Sequence, residues 1–209
     1  YCCVNLTDVE CDKLEIIKDE AFGSCYSLRS IDLPSAKIVQ SWAFSECGDL
    51  TNVKFGNKLE RIQRSAFYDL SFDVCIPGLE RITIPLKDGL IAWGSFVGSY
   101  NLKHVDLVEG AVHETIAALP LEEWRNDMNE EVDTINQILP TVDAGAYDDD
   151  GEKARAIRTW IRLVLNKIIH YQAEHRRLVN EEVATTLQLA LPRDVLMNHV
   201  LPFLELPSY

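Results

Sequence analysis

The stretch that decides the fold is Asp19–Pro34, DEAFGSCYSLRSIDLP, because a near copy, SWAFSECGDLTNVKFG, fills residues 41–56. Each copy opens on Ala-Phe and closes on an apolar triplet of the form L-x-x-I-x-L: Leu28, Ile31, Leu33 in the first, Leu50, Val53, Phe55 in the second. The triplet recurs upstream as Leu6, Val9, Cys11, and downstream as Leu79, Ile82, Ile84 and Leu102, Val105, Leu107. Its last two positions alternate as a half-buried strand requires. Between triplets runs I-x-x-x-A-F or a variant, from Ile17 to Phe22, Val39 to Phe44, Ile62 to Phe67 and Ile91 to Phe96. Its Ala-Phe reads as a short inward plug.

Successive plug phenylalanines are 22, 23 and 29 residues apart. A period of about 20 to 30 residues marks a solenoid, in which no unit closes a core alone and a stack shares one. At these residues the chain resembles the BspA-type leucine-rich-repeat family, and IDLPSAKIVQSWAFSECGDL, residues 31–50, matches its pattern nearly throughout. The resemblance covers residues 6–108 and implies a right-handed α/β solenoid with about five short parallel strands. Where the family usually has Gly after the Ile, this chain has Lys18, Gln40, Gln63 and Ala92. The third unit also departs from the pattern, with 12 residues from Phe67 to Leu79 where the others use 6. The extra residues form a loop around Cys75, a second candidate for contact with a partner.

The periodicity changes after Gly110, which divides the chain into a solenoid, 1–110, and a helical region, 111–209. Leu121, Trp124, Met128, Val132, Ile135 and Ile138 follow helical spacing up to Pro140. After a turn-rich connector, Ile157, Ile161, Val164, Ile168, Tyr171, His175 and Leu178 form a second, longer stripe, continuing to Pro192 with a break expected near Asn180. Two such helices predict an antiparallel hairpin. A last segment, RDVLMNHVLPFLELPS, offers Val195, Leu196, Val200, Leu201 and Phe203 as a cap, which a solenoid needs. LEEWRNDMNEEVDTINQILP, KARAIRTWIRLVLNKIIHYQAEHRRL and VLPFLELPS are similar to the helical tail of a group of these proteins in unicellular algae.

Composition narrows the partners. The 209 residues are 47% hydrophobic, enough for a core, and carry a net charge of −13, divided as −5 over residues 1–110 and −8 over 111–209. Such a surface repels phosphate backbones and anionic lipid, so the partner is expected to be a protein rather than nucleic acid. No apolar run reaches the roughly 18 residues of a membrane span, so membrane insertion is not expected and an intracellular setting is slightly favoured. The first unit is partial, which suggests a longer parent array. Cys25 and Cys47 follow Phe22 and Phe44 by equal intervals and read as packed repeat positions, and none of the six cysteines forms a C-x-x-C pair. Asn5–Thr7 forms one N-x-T sequence, relevant only to a secreted chain.

A search for chemistry finds little. His170 and His175 lie five residues apart, about 140° around a helix, so they do not converge on a metal. Asp148–Asp150 with Gly151 fails as a calcium loop, since its first and last ligand positions would be Ala146 and Ile157. No nucleophile elbow, phosphate loop, dinucleotide fingerprint or paired Cys/His is present, so no enzyme and no cofactor are expected.

What remains is a surface. Strand alternation turns Asp8 and Glu10, Ser30 and Asp32, Asn52 and Lys54, Arg81 and Thr83, and His104 and Asp106 outward. Asp32, Lys54, Arg81, Thr83, His104 and Asp106 are the candidate partner-binding residues on the sheet face. Trp42 and Trp93 fall outside the strands and are expected to pack. The function implied is non-enzymatic protein binding by the sheet face. The alternative is a scaffold subunit that docks or self-associates, as a homo-oligomer, through the helices.

Overall fold

The computed structural model describes residues 3–69, 78–140 and 151–190. Among the described residues, eight strands follow in order: β1 (Asp8–Glu10), β2 (Ile16–Ile17), β3 (Ser30–Leu33), β4 (Ile38–Val39), β5 (Asn52–Phe55), β6 (Arg61–Ile62), β7 (Arg81–Ile84) and β8 (His104–Leu107). β1, β3, β5, β7 and β8 pair in that order as one parallel sheet, and β2, β4 and β6 form a second parallel sheet on the return side. Ile91 extends the second sheet by one bridge to Ile62. This is the solenoid expected from the repeat. Its connections, among the described residues, are turns and two-residue strands rather than helices.

The core is built by columns. Ile31, Val53, Ile82 and Val105 share a register across the large sheet, and each is no more than 2% exposed. Phe22, Phe44, Phe67 and Phe96 stack face to face along the axis, with ring centroids 5.3, 5.1 and 5.5 Å apart. Cys25 and Cys47 are buried as their repeat positions require, and burial pushes the Cys47 thiol up to about 12, leaving its Sγ to donate to Phe22 O. The long third unit does not disturb the stack: Asn52 lies opposite Arg81 just as Ser30 lies opposite Asn52. Cys75 lies outside the described residues.

The corner keeps a left-handed turn without the family's glycine after the Ile. The left-handed backbone sits two residues beyond Lys18, Gln40, Gln63 and Ala92, at Glu20, Trp42, Ser65 and Gly94, where φ is 54, 60, 57 and 67°. The glutamines have a different task. Gln40 Oε1 accepts from Asp19 N at 3.0 Å and Gln63 Oε1 accepts from Ser41 N at 3.3 Å, so each side chain ties its own unit to the one before. Two glycines are held by close backbone approach: a Cβ at Gly98, where φ is 82°, would lie 1.7 Å from Asp69 O, and one at Gly56 would lie 2.2 Å from Pro34 O.

Among the described residues, four helices follow: α1 (Ala111–Ala117), α2 (Glu122–Asp133), α3 (Ile135–Ile138) and α4 (Glu152–Ala190). Helical spacing of apolar residues did not announce the two-turn α1. The single helix expected up to Ile138 divides at Thr134, whose hydroxyl donates back to Glu131 O at 2.7 Å, a bond that competes with the helix ladder. Trp124, Met128 and Ile135 are buried as their stripe predicts, whereas Leu121 and Ile138 are exposed. α4 runs 39 residues without the expected break at Asn180.

α2 and α4 are antiparallel. Glu131 meets Trp160 and Lys167, Asp127 meets Lys167 and Tyr171, and Trp124 stacks on Tyr171 with centroids 5.0 Å apart. The hairpin stops there, because Trp124 lies in the first turn of α2. On α4, Ile157, Ile161 and Val164 are buried and Ile168 and Tyr171 partly so, but every described side chain from His175 onward is exposed. His175 is therefore not at a core edge, and about 28 Å of helix runs on past Tyr171 at 1.5 Å per residue.

The helices also close the solenoid. Asn136 Oδ1 accepts from Val105 N at 2.8 Å, satisfying a β8 edge donor. Lys153, 2% exposed, donates from Nζ to Tyr100 O at 2.7 Å and Leu102 O at 2.8 Å. A Cβ at Gly151 would come within 2.9 Å of Gly94 N, so α4 begins in close contact with the fourth unit. The cap thus comes from α3 and the start of α4. The C-terminal segment assigned that task lies outside the described residues.

Candidate functional site

The register of the large sheet sorts its outward side chains into two rows. Asp8, Ser30, Asn52, Arg81 and His104 form one, and Glu10, Asp32, Lys54, Thr83 and Asp106 the other. All six candidate residues of the face therefore stand on adjacent strands, about 4.8 Å apart in the pairing direction. Asp8, Glu10 and Asp32 make the β1 and β3 end acidic, while Lys54 and Arg81 carry the cationic groups of β5 and β7 and His104 stands on β8.

Neighbouring strands are cross-linked by side chains at both ends of the face. Ser30 Oγ donates to Asp8 Oδ1 at 2.7 Å, and Arg81 Nη1 donates to Asp106 Oδ2 at 2.7 Å, diagonally between rows. Arg81 is thus already engaged. Lys54 is exposed and forms no ion pair among the described residues, so it is the cation that a partner can take without displacing an internal contact. Asp32 and Thr83 are half-buried and His104 is exposed. Asn52 Oδ1 is buried between the Ser30 and Arg81 positions with no hydrogen-bond partner. Such a face can match charges on another surface. No group of three His, Cys, Asp or Glu side chains among the described residues is arranged to hold a metal ion.

A second concave surface lies at the corner. Trp42 and Trp93 are 39% and 47% exposed, against the expectation that both pack. With Ser41, Arg64, Ser65, Tyr68 and Val97 they line a cleft of about 420 Å³. The signal was present in the repeat alignment: Trp42 occupies the turn position held by Glu20, Ser65 and Gly94, and Trp93 the position held by Asp19, Ser41 and Arg64. Asp19 and Arg64, which share the Trp93 position, and Glu20, which shares that of Trp42, are exposed, whatever the usual burial of tryptophan.

The family model for BspA type leucine rich repeat regions matches residues 1–113, more than half of the chain. The chain belongs to that family. No curated protein and no solved structure gives a significant match. BspA-type repeats build leucine-rich-repeat solenoids, a fold that is generally a scaffold for protein interaction and typically not enzymatic. No described helix of this BspA-type chain is long and apolar enough to cross a membrane.

Proposed function

We propose that the chain is a non-enzymatic protein-binding module that engages its partner through the large sheet. The observation that carries this is the in-register row Glu10, Asp32, Lys54, Thr83, Asp106: a fixed series of charges on rigid strands, acidic on β1 and β3, cationic at Lys54, and closed on β8 by an Asp106 carboxylate already paired with Arg81. A partner with the reverse polarity would meet it without reorganising either surface. In this reading residues 1–110 carry recognition and 111–209 shield the end of the stack. The kinship of the helical region with the algal tails belongs to the same proposal and rests on the three stretches quoted above.

The test is a quantitative pull-down with the full chain and the variants Lys54→Glu and Lys54→Glu/Arg81→Glu. Reversal of Arg81 also breaks its bond to Asp106, so Lys54→Glu is the cleaner arm. Loss of a partner at unchanged melting temperature supports the sheet face, whereas unchanged capture by both variants rejects it.

A second reading has its own observation. Leu178, Val179 and Val183 are 37, 42 and 38% exposed on the part of α4 that α2 does not cover. A helix presenting aliphatic residues there can pair with a second copy or dock into an assembly. Light scattering after size exclusion at several concentrations tests it, and a monomer mass independent of concentration counts against self-association.

A further inference from the structure

We propose that the corner cleft between Trp42 and Trp93 binds an extended, proline-containing peptide segment that bears a carboxylate beside its prolines. The site is separate from the sheet face and does not depend on it.

The cleft is formed by three neighbouring units in register. Trp42 N donates to Ser65 O at 3.1 Å and Ser65 N to Gly94 O at 3.0 Å, which sets the row Trp42, Ser65, Gly94 beside the row Ser41, Arg64, Trp93. Trp42 meets Tyr68 edge-on, with ring centroids 4.5 Å apart. The Arg64 guanidinium lies 4.7 Å above the Trp93 ring. Trp42 with Tyr68, and Trp93 with Arg64, thus line one cleft together with Ser41 and Ser65.

Neither tryptophan belongs to the buried core. Both are substantially exposed, and Trp42 holds φ at 60°, a left-handed conformation that bulky side chains strongly disfavour. Gly94 occupies the same corner position in the fourth unit without that strain. A large ring kept at a strained, solvent-facing turn is explained by what it contacts from outside. Trp, Tyr and Arg are also the residues that dominate binding energy in protein interfaces.

Geometry selects the ligand backbone. Trp42 and Trp93 stand two units apart, about 10 Å along the stack at roughly 4.8 Å per strand. A polyproline II helix repeats every three residues, or about 9.3 Å, so prolines at i and i+3 reach both tryptophans in one turn. Aromatic-lined grooves take such segments because they lose little entropy on binding. Charge selects the sequence. Arg64 forms no ion pair among the described residues of an acidic protein, so it is available to a carboxylate on the ligand. At physiological salt the repulsion of the distant acidic surface is screened beyond about 8 Å.

The test titrates the full chain by tryptophan fluorescence, since Trp42 and Trp93 are exposed while Trp124 and Trp160 are buried. The probes are a synthetic peptide of repeating Pro-Pro-Glu, its Pro-Pro-Lys and Gly-Gly-Glu counterparts, and a carboxylated oligosaccharide. Saturable binding of the Pro-Pro-Glu peptide alone is expected. It should weaken about tenfold or more in Arg64→Ala and in Trp93→Ala, with unchanged circular dichroism and melting, and stay intact in Lys54→Glu. If Trp93→Ala is misfolded, Trp93→Leu and Arg64→Ala decide. Absence of binding, equal binding of the lysine or glycine peptide, or indifference to Arg64 and Trp93 overturns the proposal. Binding of the oligosaccharide in place of the peptide also overturns it. Because Lys54→Glu tests the sheet face alone, failure at one surface leaves the other reading unaffected.

Discussion

Replacing Lys153 by Met asks whether the buried cation holds the helical cap to the solenoid. The substitution keeps an unbranched stem of similar reach and removes the ammonium that donates to Tyr100 O and Leu102 O. A buried acceptor deprived of its donor costs about 1–3 kcal/mol, so the two carbonyls together cost about 2–6 kcal/mol. Against that stands relief from burying a charge at 2% exposure, which can favour an apolar replacement by about 1–4 kcal/mol. The carbonyls belong to the last turn before β8 and cannot turn to water while α4 covers them, so we expect a net loss of about 2 kcal/mol. At about 2–4 °C per kcal/mol for a chain of this size, the midpoint falls by about 4–8 °C. Thermal unfolding by circular dichroism reads the shift, with exposed Lys103→Met as the control that should stay within about 0.5 kcal/mol. Hydrogen exchange should also quicken at the Val105 amide, whose acceptor Asn136 lies in the same cap. A Lys153→Met midpoint at or above that of the parent, with unchanged exchange at Val105, would refute the reasoning.

Phe44→Ala should cost about 3–5 kcal/mol, because the ring is 2% exposed between Phe22 and Phe67; Phe22→Ala, at the half-buried end of the spine, should cost clearly less by urea unfolding. Gly98→Ala should destabilise more than Gly89→Ala: both have positive φ, but only at Gly98 would the Cβ strike backbone, while at Gly89 nothing lies within 4 Å. Equal melting temperatures would remove the steric argument. The bonds that Tyr171 and Lys167 donate to Asp127 hold its carboxyl below the usual carboxylate range. A depressed folded pKa adds stability above the unfolded value of about 3.9 and loses it as pH falls through the folded value. The parent should therefore exceed Asp127→Asn by at most about 1 kcal/mol near pH 7, after solvent screening, and the gap should close below about pH 4. A gap that persists at pH 2 would mean that the substitution acts through packing.

The repeat fixed the strands, the plug phenylalanines, the buried cysteines and the outward ladder in advance, since each depends on position within a unit and each unit repeats the same environment. Period two within Ser30–Leu33 decides which side chains face inward, and period 22 decides what stacks on what. Trp42 and Trp93 were misjudged because the average burial of tryptophan was preferred to the turn position that each occupies. α1 was missed because its seven residues are too short to show a stripe.

By itself, then, the sequence determined the BspA-type solenoid, the register of its face and the presence of two amphipathic helical stretches, because local periodicity encodes all three. Only tertiary structure decided that Arg81 is bound to Asp106, that Lys153 and Asn136 seal the last strand, and that the hairpin ends at Tyr171. Those outcomes depend on contacts between residues 25 to 53 positions apart, and on where a short helix runs out beside a long one. Periodicity carries the orientation of a side chain within its own element but not the length of the neighbour it meets.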